Sequence, residues 1–517
     1  MNEGSKLGRR ELLTTAVTAG IVGGLSMSVQ TLPAAAPATQ SGTRKAMAVE
    51  NKKSGTTDWQ LTYTRIDPPT KWRCPWIEGY VSKASIKAGE TLELFVSTNP
   101  AARFQVDLYR LGYYGGTGSR HLRTIGPLPG KVQAEPPEGE GRVRECRWEA
   151  ATSFKIPADW PSGVYLGKLS LLDADKPEGR YQSYVVFIVR DERPADIVFQ
   201  CSDNTWQAYN RWPKNNSLYD DGTKEWNLIA GPRATYDRPY GKYCQIMDNP
   251  LSQGSGEFLL WEFPFAYWLE QHGYDVTYIS NTDVHANSDC LTRGKIMLSV
   301  GHDEYWSLEQ FQHVKQAVQA GVSVGFFSGN TCCFVAPFSP SSSGVPNRIL
   351  TRAGRYGGLT EEEKQQMGPF PLEGPNENTL LGARTVSPFN GSGDWTCALP
   401  QHWLFKGTNM EKGESIPGLV GWEFHGDPAK IPGLEVVAEG KTINGGGKPA
   451  HYTATVYPGP KGNFVFSAST IFWAQGLSQP PGHMPPISHF GRPHGPDERV
   501  QKITANFLAK CGANGAG

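Results

Sequence analysis

The sequence has no charge of either sign to spare: 50 basic and 50 acidic residues cancel over 517 positions. A nucleic-acid binder or a polybasic membrane protein needs an excess of positive charge, so both are excluded. Charged residues are also scarce, at 19% against about 25% in an average soluble domain. The apolar stretch near the start, Leu12 to Val29, is shorter than ~20 strongly apolar residues and is diluted by Thr and Gly, which argues against a membrane anchor. The nine cysteines form no C-x-x-C pair, so a zinc knuckle or thioredoxin-like motif is not expected. Their odd number and irregular spacing make a disulfide scaffold unnecessary. One bridge, Cys74–Cys146, is expected because both residues lie in the first module. Long helical periodicity is missing too: 59 glycines and 39 prolines break the chain too often for a coiled coil or helical solenoid.

What remains is ample for a large core, with 38% hydrophobic and 11% aromatic residues, so global disorder is excluded. Residues 1–38 read as an export signal. Arg9 and Arg10 precede the weakly apolar stretch, and the small-residue run Ala34-Ala35-Ala36-Pro37-Ala38 comes after it. A basic start, an apolar middle and a small-residue end make a signal peptide, and the arginine pair is of twin-arginine type. The expected location is therefore the periplasm or the extracellular space. Residues 39–57, rich in Ser, Thr, Lys and Gly, predict a flexible lead-in.

Two periodicities follow. Residues 58–192 show short alternating runs such as Thr91–Ser97 and Phe104–Leu111, broken by Gly and Pro, which predict an immunoglobulin-like β-sandwich. Residues 193–512 alternate apolar strands with helices. Strands are read at Ala195–Gln200, Asp275–Ser280, Lys295–Val300 and Val322–Phe327, and helices at Glu257–His272 and Leu308–Ala320. Continuous apolar strands imply cover on both faces, so this region is expected to be a doubly wound α/β sheet. Ligands of such sheets sit beyond the carboxyl ends of the strands.

The residues just past those ends carry the candidate chemistry. Gly301-His302-Asp303-Glu304-Tyr305 puts four polar side chains in a row after one strand. His302 and Glu304, two apart, can aim into one cleft to shuttle a proton or ligate a metal. The plainer reading is a solvated loop before a helix capped by Ser307, but a cap needs one such residue, not four. Asn330 follows Ser328-Gly329 and reads equally as a turn residue. Cys332-Cys333 reads as packing, with a nucleophile as the sharper alternative. Tyr209, between Trp206 and Trp212, reads as packing or stacking. Glu423 reads as a strand-edge carboxylate, and His483, His489 and His494 as residues of a surface loop.

The runs TWQAYNRW, EFPFAYWLEQHGYDVTYISNTDVH, LSVGHDEYWS and FFSGN together resemble the N,N-dimethylformamidase large (beta) subunit-like family over roughly residues 195–510. Its C-terminal domain is similar to class I glutamine-amidotransferase folds. The resemblance implies a mononuclear ferric iron (Fe3+) held by two tyrosinates and a glutamate, hydrolysing the C–N bond of a small amide. Carried onto this chain, it implies Glu304 as carboxylate ligand, Tyr209 as the first tyrosine, and a second among Tyr219, Tyr236 and Tyr240, with Tyr236 preferred. His302, Asn330 and Glu423 would complete the pocket. Hard oxygen donors favour Fe(III).

The function expected is thus an exported Fe(III)-dependent amidohydrolase. Two alternatives stand beside it: a non-catalytic exported protein binding a cell-wall or other extracellular ligand, and a cysteine hydrolase using Cys332 or Cys333. The expected partners are a small-molecule amide and, in a homo-oligomer, further copies of the chain.

Overall fold

The computed structural model describes residues 44–64, 72–172, 180–223, 226–241, 253–485 and 495–515. The expected signal segment, His489 and His494 lie outside the described residues. Among the described residues, no helix is long and apolar enough to cross a membrane.

The alternating runs of the front region form two sheets. Ile77–Val81, Thr91–Thr98 and Ala150–Lys155 make a three-stranded antiparallel sheet. Ser85–Lys87, Gln182–Arg190, Gly163–Leu171, Arg103–Leu111 and Ser119–Pro129 make a five-stranded one, in that order. Leu92, Leu94 and Val96 from the first share a core with Val106, Leu108, Leu169, Val185 and Phe187 from the second. Because side chains alternate along a strand, the other face of the five-stranded sheet must find a second partner. Tyr184, Val186 and Ile188 find it in Ile197 and Phe199 of the following region. The front region is thus two β-sheets closed on one shared core, with the larger sheet packed on the second region through its other face.

The second region departs from the expected doubly wound sheet. Its main sheet has nine strands, running Val276–Ser280, Ala195–Cys201, Gly294–His302, Ser323–Gly329, Phe464–Ser467, Pro449–Pro458, Glu435–Ile443, Gly391–Thr396 and Ser415–Trp422. The first five are parallel and the remaining pairings antiparallel. The described residues are 35% strand and 20% helix, a strand-rich mixed architecture and not a flavodoxin- or glutamine-amidotransferase-like one. The physical reason lies after residue 329. From Gly391 to Ser467 no α-helix separates the strands, and polar residues recur through Glu435–Ile443 and Pro449–Pro458, which pair antiparallel.

Within the parallel half, helices lie on both faces. Helix Phe263–Gln271 and helix Glu498–Lys510 share a core with Leu298 and Val300. Helix Leu308–Ala320 covers Met297, Val324 and Phe326 on the other side. Ser307 caps that helix by accepting from Gln310 N, and Gly321 closes it at φ 105°.

The lead-in is not a free tether from residue 44 onward. Arg44–Glu50 is helical, and Met47 and Glu50 are buried. Asn51 donates to Glu270 Oε2 at 3.1 Å, and Glu50 accepts from Tyr114 Oη at 2.8 Å. At the centre of this junction Arg110 meets Glu270 in a fork, Nη2–Oε1 at 2.8 Å and Nη1–Oε2 at 3.0 Å, with both side chains fully buried. The expected Cys74–Cys146 bridge is absent, since Cys146 carries a free thiol.

The fork joins the front β region to the second region, and removing one partner strands a buried charge. Arg110→Ala is therefore expected to cost about 3–5 kcal/mol in denaturant unfolding. A cost below about 1 kcal/mol would assign the pair to the surface class and contradict its role as the junction.

Candidate active site

Strand Gly294–His302 has Gly301 as its last residue but one, with a φ of +70°. A Cβ there would lie 2.6 Å from Trp261 Cβ and 2.9 Å from Trp261 O, so glycine is required twice over. The turn it allows sends successive side chains apart. Asp303 accepts from Gln200 Nε2 (2.6 Å), Ser299 Oγ (2.8 Å) and Asn281 Nδ2 (3.0 Å) and serves as an anchor. His302 and Glu304 face the other way, and neither is a solvated loop residue: both are 1% exposed. Thr205 Oγ1 accepts from Glu304 N at 2.9 Å, locking the turn to helix Asp203–Tyr209.

Around Glu304 the structure gathers three oxygens. Glu304 Oε2 accepts from Tyr209 Oη and Tyr219 Oη, each at 2.8 Å, and the two phenol oxygens are 2.6 Å apart. Asn330 Nδ2 donates to the other carboxylate oxygen, Oε1, at 2.8 Å. Asn330 has a φ of 53°, a left-handed conformation that asparagine tolerates. Tyr209 ends its helix, and Tyr219 returns to it because Leu218 N donates to Ala208 O at 2.9 Å.

The preferred second tyrosine is corrected by this geometry. Tyr236 Oη bonds Asn204 Oδ1 at 2.7 Å and has no contact with Glu304. Tyr240 packs against Trp206, with ring centroids 6.4 Å apart. Tyr219, one of the alternatives left open, is the tyrosine beside Tyr209.

Glu423 enters from the antiparallel half. Its carbonyl accepts from Ile471 N at 3.1 Å, and a Cβ on Gly329 would sit 2.1 Å from that carbonyl oxygen. The bare glycine lets the segment lie flat on the sheet edge and brings Glu423 Oε2 to 2.5 Å from His302 Nε2. His302 Nε2 is also 3.5 Å from Glu304 Oε2. Glu423 is 3% exposed, so it is not an edge residue.

The close His302–Glu423 approach lacks hydrogen-bond alignment. His302 Nδ1 and Nε2, Glu423 Oε2, Asn330 Oδ1 and Trp261 Nε1 are all buried without a hydrogen-bond partner among the described residues. Buried polar atoms in folded proteins are ordinarily paired, so this concentration marks a place built for something else to complete. Trp261 was not foreseen from sequence. It lies in a π-helical turn, Phe258–Glu262, with its ring 6.3 Å from that of His302. Such turns recur at functional sites, but the periodicity of the segment reads as one continuous α-helix.

Electrostatically the pocket disfavours charge. Burial pushes Glu304 up to about 7 and Glu423 up to about 8, and pushes His302 down to about 4. Burial, then the Glu304 charge, raises both phenols well above their usual range. Two overlapping donor sets share Glu304. One is His302, Glu304 and Glu423, whose ligand atoms lie within 4.8 Å of one another. The other is the Tyr209–Tyr219–Glu304 oxygen triangle. Either could hold a metal ion. The triangle offers hard oxygens alone, and its 2.6–2.8 Å spacings suit donors converging on one small, highly charged cation.

Cys332 and Cys333 are fully buried, and burial raises both thiols well above their usual range, away from the thiolate a nucleophile needs. His483 is buried with Nδ1 3.2 Å from Leu259 O, apart from any metal cluster among the described residues.

Fold and site together place a possible metal-binding group, His302, Glu304 and Glu423, beside two phenols at the carboxyl edge of a parallel strand set. The N,N-dimethylformamidase beta subunit-like, C-terminal family matches residues 105–486, and the chain belongs to that family. The match begins within strand Arg103–Leu111 and so takes in much of the front β region. No curated protein matches the chain.

Beside the site, Asp203 is fully buried, and its Oδ2 has no hydrogen-bond partner among the described residues. Burial raises it to about 8. A carboxyl whose folded value exceeds its unfolded value of about 3.9 binds its proton more tightly when folded. Its stabilisation is therefore complete below pH ~4 and is lost as pH rises toward 8. Asp203→Asn is expected to flatten that decline in melting temperature measured from pH 5 to pH 8.5; an unchanged slope would place the proton elsewhere.

Proposed function

We propose that this protein is an exported amidohydrolase that cleaves the C–N bond of a small amide with a mononuclear Fe(III) held by Tyr209, Tyr219 and Glu304. The observation that carries the reading is the oxygen triangle of two phenols and a carboxylate, buried at the sheet edge of a chain from this family. When bound, a ferric ion supplies Lewis acidity: it polarises a carbonyl and acidifies water.

The residues around it have separable tasks. Asn330 Nδ2 fixes Glu304 through Oε1, leaving Oε2 to the phenols. His302 Nε2 and Glu423 Oε2, 2.5 Å apart, form a pair that takes a proton from the attacking water and returns it to the leaving amine nitrogen. Trp261 Nε1, a buried donor with no acceptor among the described residues, is available to the substrate's carbonyl oxygen. The surrounding apolar shell, which includes Leu218, Phe334 and Leu350, excludes bulk water. Export rests on the arginine pair and the apolar stretch of residues 1–38. The buried, uncharged cysteines weigh against the cysteine-hydrolase alternative.

Protein purified without added metal is expected to carry near-stoichiometric iron and a broad visible tyrosinate-to-iron charge-transfer band. Glu304→Ala removes iron and amide hydrolysis together. Tyr219→Phe shifts or abolishes the band, whereas Tyr236→Phe leaves it in place. A colourless metal such as zinc would instead favour the His302–Glu304–Glu423 set. Absence of any metal after iron reconstitution would favour the non-catalytic binding protein.

A further inference from the structure

The two tyrosines reach one another across a ten-residue excursion that is mostly loop, and something must hold that loop in shape. Arg238 is fully buried within it. Nε donates to Gln207 Oε1 (3.2 Å). Nη1 donates to Trp212 O (3.0 Å) and Asn216 O (2.9 Å), and Nη2 to Gln207 O (3.1 Å) and Asn210 O (3.0 Å). All five N–H groups are used, and every acceptor lies between two residues before Tyr209 and three before Tyr219. The flanking residues join in: Asn210 Nδ2 donates to Pro239 O at 2.9 Å, and Asn210 Oδ1 accepts from Gly241 N at 3.1 Å.

No carboxylate pairs with Arg238 among the described residues, and burial lowers it to about 10. A buried cation without a counter-ion is costly. Stability alone would be served better by an apolar side chain of similar volume. What only a planar five-donor fork supplies is simultaneous order at four carbonyls.

We infer that Arg238 is the positioning residue for both tyrosines, holding Tyr209 and Tyr219 in oxygen-to-oxygen contact by bonding the carbonyls of Gln207, Asn210, Trp212 and Asn216 at once. The inference rests on the proposed reading of these tyrosines as ligands only for its consequence. The positioning itself can be read without metal.

The test compares Arg238→Lys with Arg110→Lys, a buried arginine whose fork serves the junction and not the tyrosines. In metal-free protein, photo-oxidation couples adjacent rings into dityrosine. Trypsin cuts after Arg211 and Lys214, so a Tyr209–Tyr219 cross-link joins two peptides detectable by mass spectrometry. Both variants are expected to melt earlier. Only Arg238→Lys should lose the cross-link and bind Fe(III) about 10- to 100-fold more weakly. Cross-linking and iron affinity equal to those of Arg110→Lys would overturn the inference. If Arg238→Lys does not fold, Gln207→Leu, which removes the Oε1 acceptor shared by Arg238 Nε and Asn210 Nδ2, decides beside Asn210→Ala, which keeps the Nε bond: a cross-link reduced only in Gln207→Leu supports the positioning role, and one unchanged in Gln207→Leu, or reduced equally in both, overturns it. A native chain that cross-links but takes up no iron would sink the iron reading and leave the positioning role to be judged by the cross-link alone.

Discussion

The structure depends on one carboxylate kept dry. Glu304 is 1% exposed, yet both its oxygens are occupied, one by Asn330 and the other by two phenols. Burying a carboxyl is tolerable only when such partners are present, and each partner imposes a demand of its own. Asn330 must adopt a left-handed backbone, Tyr219 must fold back onto the helix of Tyr209, and Gly301 must lack a side chain. The unusual features of the sheet edge are consequences of that single burial.

The same constraint explains why the polar atoms left over are where they are. His302, Glu423, Trp261 and the free end of Asn330 surround Glu304 without satisfying one another. A merely structural buried network is fully paired, because a half-satisfied one is worse than an apolar core. Here five such atoms crowd around one carboxylate, beside the carboxyl ends of two parallel strands, where ligands of such sheets sit. Phenols raised by burial and carboxyls raised by burial both gain from a cation placed among them.

Much of this was legible in the sequence, and the limits are physical. Continuous apolar strands place His302 and Asn330 at the ends of adjacent parallel strands, since strand length and the following helix cap fix where each ends. Glu423 could be reached only by family resemblance, because it meets His302 through a sheet-edge crossing whose signal is the absence of a side chain at Gly329. The choice among Tyr219, Tyr236 and Tyr240 was undecidable by spacing, because loop closure depends on bonds such as Leu218 N to Ala208 O and not on periodicity. The doubly wound expectation failed for a related reason. Four parallel strands read locally as the start of a βαβ series, but the sheet's fifth parallel strand, Phe464–Ser467, arrives only after the antiparallel half has formed.

The front β region then acquires a purpose that strand patterns do not reveal. Among its described residues no metal-ligating cluster occurs, yet it touches the tyrosine loop at several points. Trp212 Nε1 donates to Glu78 Oε2 at 2.8 Å, and the Trp212 ring packs edge-on against Trp148. Asn216 Nδ2 reaches Glu138 Oε2 at 3.1 Å, and Arg142 Nη1 reaches Asp220 O at 3.0 Å. Glu78 is itself tied to Arg73 and is 3% exposed, so its bond to Trp212 is a buried anchor. Residues on both sides of Tyr219 are therefore clamped from the front sheets, while Arg238 orders the same loop from within. A site whose ligand geometry must hold to fractions of an ångström needs support of this kind, since loops alone do not hold a constellation that tightly. The family match, which begins at residue 105, takes in Glu138 and Arg142 of these supports, while Glu78 lies ahead of it.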